Sequence, residues 1–157
     1  MVILGIDPGT HRVGYGFIES EQGECRYLAA GLLAVGRAQP HAQLQKIKQE
    51  LDSLIHTFSP EALALEKLYF TKNQRTGISV AQARGVILLA AAEHSLPVAE
   101  FGPSELKAHL TGYGSADKAA VFKMVKLSLR CPTLDVIDDA SDALALALVA
   151  HFTKSFA

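Results

Sequence analysis

The sequence predicts an α/β fold, a mixed five-stranded sheet flanked by helices. Its first part is a series of apolar runs of strand length separated by glycine-containing turns, which is typical of antiparallel strands. The remainder alternates two short apolar runs with longer segments of helical spacing, which is typical of parallel strands joined by helices. No linker, repeat or low-complexity segment divides the 157 residues, so we expect one domain over residues 1–153 and a short tail over 154–157.

Five apolar runs are the predicted strands. The first two cover residues 2–6 and 13–18, and Pro8, Gly9 and the residues up to Arg12 supply a turn between them. We therefore expect these two runs to pair as an antiparallel hairpin. The remaining strands are expected over residues 26–35, 62–65 and 96–101.

The helices follow from apolar residues at helical spacing. They are expected over residues 41–58, 77–94, 104–110 and 116–130, and over about fifteen residues from Asp138. Ser115 is the expected N-cap of helix 116–130. The last segment alternates like a strand, but its length and its alanine and leucine content favour a helix.

The helix at 77–94 carries apolar residues around most of its circumference, so more than one of its sides must be buried. One explanation is that one side packs on the sheet and another side on a second subunit. The alternative is a central helix within a single core.

Composition excludes several classes of protein. Apolar residues make up 49% of the chain and charged residues 20%, which is globular composition. Cys25 and Cys131 lie far apart without a metal-binding pattern, so neither a zinc site nor a disulfide framework is expected. There is no signal-peptide pattern and no apolar run long enough to span a bilayer, which predicts a cytoplasmic protein without a membrane partner.

Charge is distributed unevenly along the chain. Residues 67–130 carry nine basic and four acidic residues, although the whole chain has a net charge of −1. A basic middle segment suits contact with phosphate, and acidic flanks suit cation binding.

Four carboxylates from three distant places could meet in one site. Asp7 and Glu66 each follow an apolar strand directly. On the last helix, Asp142 shares a face with Asp139 three residues before it and with Asp138 four residues before it, so either could complete the set. Asp7 could instead be a turn residue, and acids near a helix start are favoured by its dipole. Carboxylate oxygens suit Mg²⁺ or Mn²⁺, and two such ions can promote phosphodiester hydrolysis.

Two basic segments could contact nucleic acid. Gly112 and Gly114 precede Lys118 at a helix start, which is either a phosphate site or an ordinary glycine turn. The segment EKLYFTKNQRTG combines rings and cations that could stack on unpaired bases and hold the backbone, namely Lys67, Tyr69, Phe70, Lys72, Asn73 and Arg75.

These motifs together resemble the RuvC family of crossover junction endodeoxyribonucleases, which have a ribonuclease H-like fold. The matching segments are GIDPGT with GYG, ALEKLYFTKN, AQARGV, GYGSADK and DDASDALALA, and they run along the whole chain.

The resemblance implies a homodimeric, Mg²⁺-dependent nuclease that cuts four-way (Holliday) junctions in recombination and repair. Two ions per site are expected, Mn²⁺ could substitute, and the products would carry 5′-phosphate and 3′-hydroxyl ends. The implied metal-binding catalytic set is Asp7, Glu66, Asp139 and Asp142, with Asp138 as an alternative to Asp139. Lys107 and Lys118 would contact phosphate, and Tyr69 or Phe70 would occupy the junction centre. The RuvA–RuvB branch-migration complex is an implied partner.

Three other functions share part of this pattern. Actin-like ATPases and sugar kinases have a similar first hairpin, but they are much longer. A junction-binding relative without catalysis would not need the complete acidic set. A ribonuclease H acting on RNA–DNA hybrids would share the carboxylates, but would not call for the aromatic pair in a basic loop.

Overall fold

A computed structural model describes residues 1–9, 12–68 and 74–156, and residues 74–76 without their side chains. Its strands are β1 (Val2–Pro8), β2 (Val13–Glu21), β3 (Glu24–Leu32), β4 (Ala62–Glu66) and β5 (Val98–Phe101). Its helices are α1 (Pro40–Phe58), α2 (Gln74–Glu93), α3 (Pro103–Thr111), α4 (Lys118–Ser128) and α5 (Asp138–Phe152).

One mixed sheet contains all five strands, in the order β3-β2-β1-β4-β5. The first three strands pair antiparallel, which confirms the predicted hairpin, and β4 and β5 join in parallel. The predicted α/β class and the five-stranded sheet are thus confirmed. The parallel strands are linked by helices because a parallel connection needs a long crossover.

Helices cover both faces of the sheet and create two hydrophobic layers. One layer packs α5 with α3 and α4 against side chains such as Ile3, Ile18 and Ala64. The other packs α1 and α2 against Leu4, Phe17 and their neighbours. Because side chains alternate along a strand, neighbouring residues of β1 belong to opposite layers.

Two local predictions about α4 were wrong. Its N-cap is Asp117 rather than Ser115, and the Asp117 carboxylate accepts a hydrogen bond from the Ala120 amide at 2.7 Å. The helix starts at Lys118 and ends at Ser128, which is shorter at both ends than predicted. An aspartate carboxylate caps a helix start at least as well as a serine hydroxyl. Asp117 is the cap because it directly precedes the first residue of the helix, Lys118.

Helix α2 buries one side and exposes another. Ala83, Ile87 and Ala90 lie in the layer against the sheet, whereas Ile78 and Leu89 are more than half exposed.

No helix among the described residues is long and apolar enough to cross a membrane. Cys25 is buried and Cys131 is half-buried, and both are free thiols.

Candidate active site

Strand alternation brings Asp7 and Glu66 to the same face of the sheet. Ile3 and Ala64 point into the layer under α5, so Asp7 and Glu66, which are four and two residues further along, point the same way. The parallel register places Ile6 opposite Leu65, and the two carboxylates follow directly. The carboxyl ends of adjacent parallel strands therefore present two acids side by side.

Close backbone contact delivers the acids of α5 to the same place. A Cβ atom on Gly5 would lie 1.9 Å from the carbonyl oxygen of Ala143, and one on Gly14 would lie 2.0 Å from that of Asp139. No side chain fits at either glycine, so α5 rests directly on the backbones of β1 and β2. This contact explains the glycines at positions 5 and 14.

The acids open into a cavity of about 220 Å³ between the sheet and α3, α4 and α5. Its charged wall contains Asp7, Glu66, Asp142, Lys107 and Lys118, and its apolar wall contains Pro103, Leu106, Val121 and Leu146. The structure thus brings three predicted acids and both predicted lysines to one cavity. Asp139 is close enough for its charge to act on Asp7 and Asp142.

Burial and mutual repulsion make these acids hard to ionise. Burial, followed by the negative charges of Glu66, Asp142 and Asp139, raises the pKa of Asp7 from 3.8 to about 7. Burial and the charge of Asp142 also raise the pKa of Glu66, although a hydrogen bond with Asp7 and the charges of Arg84 and Lys118 oppose the shift. Burial raises the pKa of Asp142 against the opposing effect of Lys118. Negative charge in the cavity is therefore incompletely compensated.

Lys118 is the main cation facing these acids among the described residues. Its ammonium lies 3.2 Å from Asp142 Oδ2 and 3.9 Å from Asp138 Oδ2, and the charge of Asp142 raises the pKa of the lysine. The Asp117 carboxylate already accepts a hydrogen bond from one amide at the start of α4, that of Ala120. The part of this helix start that lines the cavity is Lys118, so the phosphate interpretation is supported by the lysine.

Asp138 and Asp139 differ sharply in their surroundings. The Asp138 side chain is 81% exposed, whereas that of Asp139 is 23% exposed. Asp139 Oδ2 lies 3.3 Å from Arg12 Nε but has no hydrogen-bond partner among the described residues, although the oxygen itself is buried. A buried carboxylate oxygen without a hydrogen bond is costly unless another ligand satisfies it.

The residues of the cavity fit a divalent cation. Their donors are all carboxylate oxygens, which suit Mg²⁺ or Mn²⁺, and the unsatisfied Asp139 oxygen and the raised pKa of Asp7 both call for positive charge. Within the described part of the chain, no three acidic, histidine or cysteine side chains are already placed to hold one ion.

The predicted aromatic and basic segment falls largely outside the description. Tyr69, Phe70, Lys72 and Asn73 are not described, nor is the side chain of Arg75. Lys67 at the beginning of this segment pairs with Glu105 of α3 at 3.1 Å. Its ammonium is therefore engaged by a carboxylate of the protein.

Two arginines near the acids were missed by reasoning from the sequence. Arg12 pairs with Asp139, and Arg84 of α2 is buried beside Glu66 and Glu100. Nothing in the turn sequence identifies the partner of Arg12, because the contact spans most of the chain. Arg84 did give a signal, since it is a lone charge within the apolar part of a helix.

Comparisons with known proteins cover nearly the whole chain. The family model described as "Crossover junction endodeoxyribonuclease RuvC" matches residues 3–151. A protein of that name from Roseiflexus sp. (strain RS-1) is 43% identical over 146 residues, covering 92% of this chain and 87% of the relative. Another from Moorella thermoacetica is 44% identical over 149 residues, covering 94% and 89%.

A solved structure shares the fold closely. It is described as T. thermophilus RuvC in complex with Holliday junction substrate, and it is 31% identical to this chain with a TM-score of 0.91. The similarity covers 98% of this chain and 94% of that one.

Proposed function

Because the chain belongs to the RuvC family of crossover junction endodeoxyribonucleases, we propose that its acidic cavity hydrolyses one strand of a four-way DNA junction. Members of this family are metal-dependent nucleases with a ribonuclease H-like fold. The observation that supports the proposal most directly is a cavity in which three under-compensated carboxylates face two lysines. Such a site attracts cations and phosphate together.

Asp7, Glu66, Asp139 and Asp142 are the residues that would hold divalent ions, with Mg²⁺ as the expected metal and Mn²⁺ as a substitute. When bound, such ions lower the pKa of a water molecule and stabilise negative charge on a leaving oxygen. Asp139 is preferred to Asp138 because its buried oxygen lacks a hydrogen bond and Asp138 is largely exposed. The expected products carry 5′-phosphate and 3′-hydroxyl ends.

Lys107 and Lys118 would bind the phosphate that is cut. Both line the cavity with the acids, so a phosphodiester there would contact ammonium groups on one side and the carboxylate site on the other. Asp142 would be one of the residues that hold the metal, and Lys118, which pairs with it in this structure, would then be available to the DNA phosphate. The lysines would thus orient the phosphate and stabilise its developing charge.

We also propose a homodimer that forms through α2. Ile78, Gln82, Gly85 and Leu89 make one exposed stripe along this helix. Apart from its chain neighbours and the adjoining backbone of α2, nothing lies within 4 Å of the place where a Cβ on Gly85 would stand. A glycine between exposed apolar side chains lets another helix approach closely. Two subunits related by a two-fold axis would present two sites to the two strands of a junction.

The remaining contacts are proposed on the resemblance alone. Tyr69 or Phe70 would stack at the junction centre, and Lys72, Asn73 and Arg75 would hold nearby backbone. Residues 1–153 would act as one nuclease domain, and the RuvA–RuvB complex would be a partner.

A nicking assay tests the proposed function. A synthetic four-way junction, a linear duplex and an RNA–DNA hybrid are incubated with the protein in Mg²⁺ or in EDTA. We expect paired, Mg²⁺-dependent nicks in the junction only. Lys118→Met and Lys107→Met should slow cleavage by about 10²–10³-fold, while Lys123→Met, a matched exposed change on α4, should cut like wild type.

Three outcomes would contradict parts of this proposal. Cleavage of the hybrid rather than the junction would favour a ribonuclease H activity. Binding of the junction without any cleavage in Mg²⁺ or Mn²⁺ would indicate a non-catalytic junction-binding protein. Sedimentation as a monomer at active concentrations would rule out the dimer. If the dimer forms through α2, Leu89→Glu should convert it to a monomer.

A further inference from the structure

Arg84 is unusual because it is a charged side chain in a buried place. Its residue exposure is 9%, and no other charged residue in the described ranges falls within the buried class. It lies on the side of α2 that packs against the sheet, between Ala83 and Ile87. A buried guanidinium costs free energy unless it is fully paired, so its partners indicate what it is there to hold.

The partners of Arg84 lie on two adjacent strands. One nitrogen, Nη1, donates to the main-chain oxygen of Glu66, and the other, Nη2, donates to the Glu100 carboxylate. Glu66 ends β4 and Glu100 is in β5, directly opposite Leu65. The guanidinium therefore bridges both strand ends to the helix above them.

The contact with Glu66 comes where the sheet itself gives less support. Pairing between β1 and β4 ends with Ile6 opposite Leu65, one residue before Glu66. On the β5 side, the Lys67 amide donates to the Phe101 carbonyl at 2.9 Å. Arg84 donates to the Glu66 carbonyl, so the peptide group between Glu66 and Lys67 is held at its carbonyl by Arg84 and at its amide by Phe101.

We propose that Arg84 is a positioning residue for the metal-binding carboxylates, which acts by holding the Glu66 backbone while Glu100 orients the guanidinium. It contacts neither substrate nor metal. Its planar fork suits two acceptors in fixed directions, which a lysine ammonium reproduces poorly. This inference rests on the proposed function, because it assigns a purpose to the placement of Glu66.

The test compares wild type with Arg84→Met, Arg84→Lys and Glu100→Gln, and uses Arg26→Met as a control. Arg26 pairs with Glu19 on an exposed part of the sheet remote from the cavity. Four quantities are measured for each protein: the folded fraction, the junction Kd in EDTA, the single-turnover cleavage rate, and Mn²⁺ binding followed by the electron paramagnetic resonance signal of free Mn²⁺.

Arg84→Met is expected to weaken Mn²⁺ binding by about 10–100-fold and to slow cleavage per folded molecule by about 10²-fold. Its junction Kd should stay within about threefold of wild type, because phosphate contacts are unchanged. Arg84→Lys should recover part of both losses, and Glu100→Gln, which keeps an acceptor, should lose the least. Arg26→Met should match wild type in all four measurements.

The inference is overturned if Arg84→Met folds and its Mn²⁺ binding and cleavage per folded molecule match those of wild type. If Arg84→Met does not fold, the milder variants Arg84→Lys and Glu100→Gln decide, and unchanged Mn²⁺ binding and cleavage in both would overturn the inference. Loss of junction binding in step with cleavage would also overturn it, since that would make Arg84 a DNA-binding residue. A wild-type protein that cuts no junction refutes the proposed function instead, and the Mn²⁺ measurement still decides the role of Arg84.

Discussion

Two acidic clusters in this molecule differ in how far nearby cations neutralise their carboxylates. Where α1 meets α2, the Asp52 carboxylate lies 2.5 Å from Lys48 Nζ and 2.9 Å from His94 Nε2, and Glu93 lies 2.7 Å from the same lysine. Each acid there has a cation within contact distance. In the cavity beneath α5, several acids share Lys118.

The difference appears in the pKa values. At the α1–α2 cluster, burial raises the pKa of Asp52, but hydrogen bonds from Lys48 and His94 outweigh it and leave the pKa lowered. In the cavity, burial and repulsion raise the pKa of Asp7 to about 7. A balanced cluster stabilises the fold, whereas an unbalanced one costs stability and is retained where an added ligand brings positive charge.

The largest expected effect is the loss of cleavage in Asp7→Asn. The amide keeps the shape of the side chain but removes the carboxylate from the proposed metal site, so junction cleavage in Mg²⁺ should fall by at least about 10³-fold. Single-turnover kinetics would measure this loss. Cleavage within about threefold of wild type would exclude Asp7 from the metal site.

The same variant should gain stability when metal is absent. Asp7 in the folded state binds its proton up to about pH 7, whereas in the unfolded chain it loses the proton near pH 3.8. Its contribution to the free energy of unfolding therefore falls as pH rises from about 4 to 7. Urea unfolding in EDTA at pH 8 should show Asp7→Asn more stable than wild type by about 2–4 kcal/mol, and no difference at pH 3 is the internal control.

A comparison of two neighbouring acids sharpens the boundary of the unbalanced cluster. Asp139→Asn should slow cleavage by about 10²-fold or more, because it removes from the proposed metal site a carboxylate whose buried oxygen has no hydrogen bond. Asp138→Asn is the matched control and should cut within about threefold of wild type, since its side chain is 81% exposed. The reverse order in a cleavage assay would make Asp138 the ligand.

Backbone contact places the cavity acids, so a single methyl group should disturb them. In Gly14→Ala the added carbon would lie 2.0 Å from the Asp139 carbonyl oxygen, which forces the first turn of α5 away from β2. We expect a loss of about 1–3 kcal/mol in the free energy of unfolding and about tenfold slower cleavage. A variant as stable and as active as wild type would show that α5 is not held by this contact.

The smallest effect is expected at the balanced cluster. Asp52→Asn removes two partly exposed ion pairs and should cost about 0.5–1 kcal/mol of stability, which disappears as pH falls through the lowered pKa of Asp52. Cleavage should not change. Slower cleavage in this variant would mean that the α1–α2 cluster influences the cavity.

Much of this site could be predicted from the sequence because its parts carry local signals. Asp7 and Glu66 each end an apolar strand, and strand alternation then places them on one face. Asp142 shares a helix face with both Asp138 and Asp139, and spacing alone does not choose between those two. The cavity also brings together Lys118, which its place at a helix start indicates, and Lys107, which the resemblance to a family implies.

Other features depend on contacts between distant segments and could not be derived from the sequence. The pairing of Arg12 with Asp139 and of Arg84 with Glu66 becomes visible only when the helices are placed on the sheet. The N-cap of α4 was wrong by two residues, because Ser115 and Asp117 both have suitable side chains. Local propensity does not choose between two good caps.

The central claim is that the unbalanced acids under α5 form a metal site, and metal-dependent stability tests it most directly. The free energy of unfolding at pH 8 is measured in EDTA and in Mn²⁺ for wild type, Asp7→Asn and Asp52→Asn. Binding to the folded state alone raises this free energy, so Mn²⁺ should stabilise wild type and Asp52→Asn equally and leave Asp7→Asn unchanged. Equal stabilisation of all three proteins, or none of wild type, would contradict the claim.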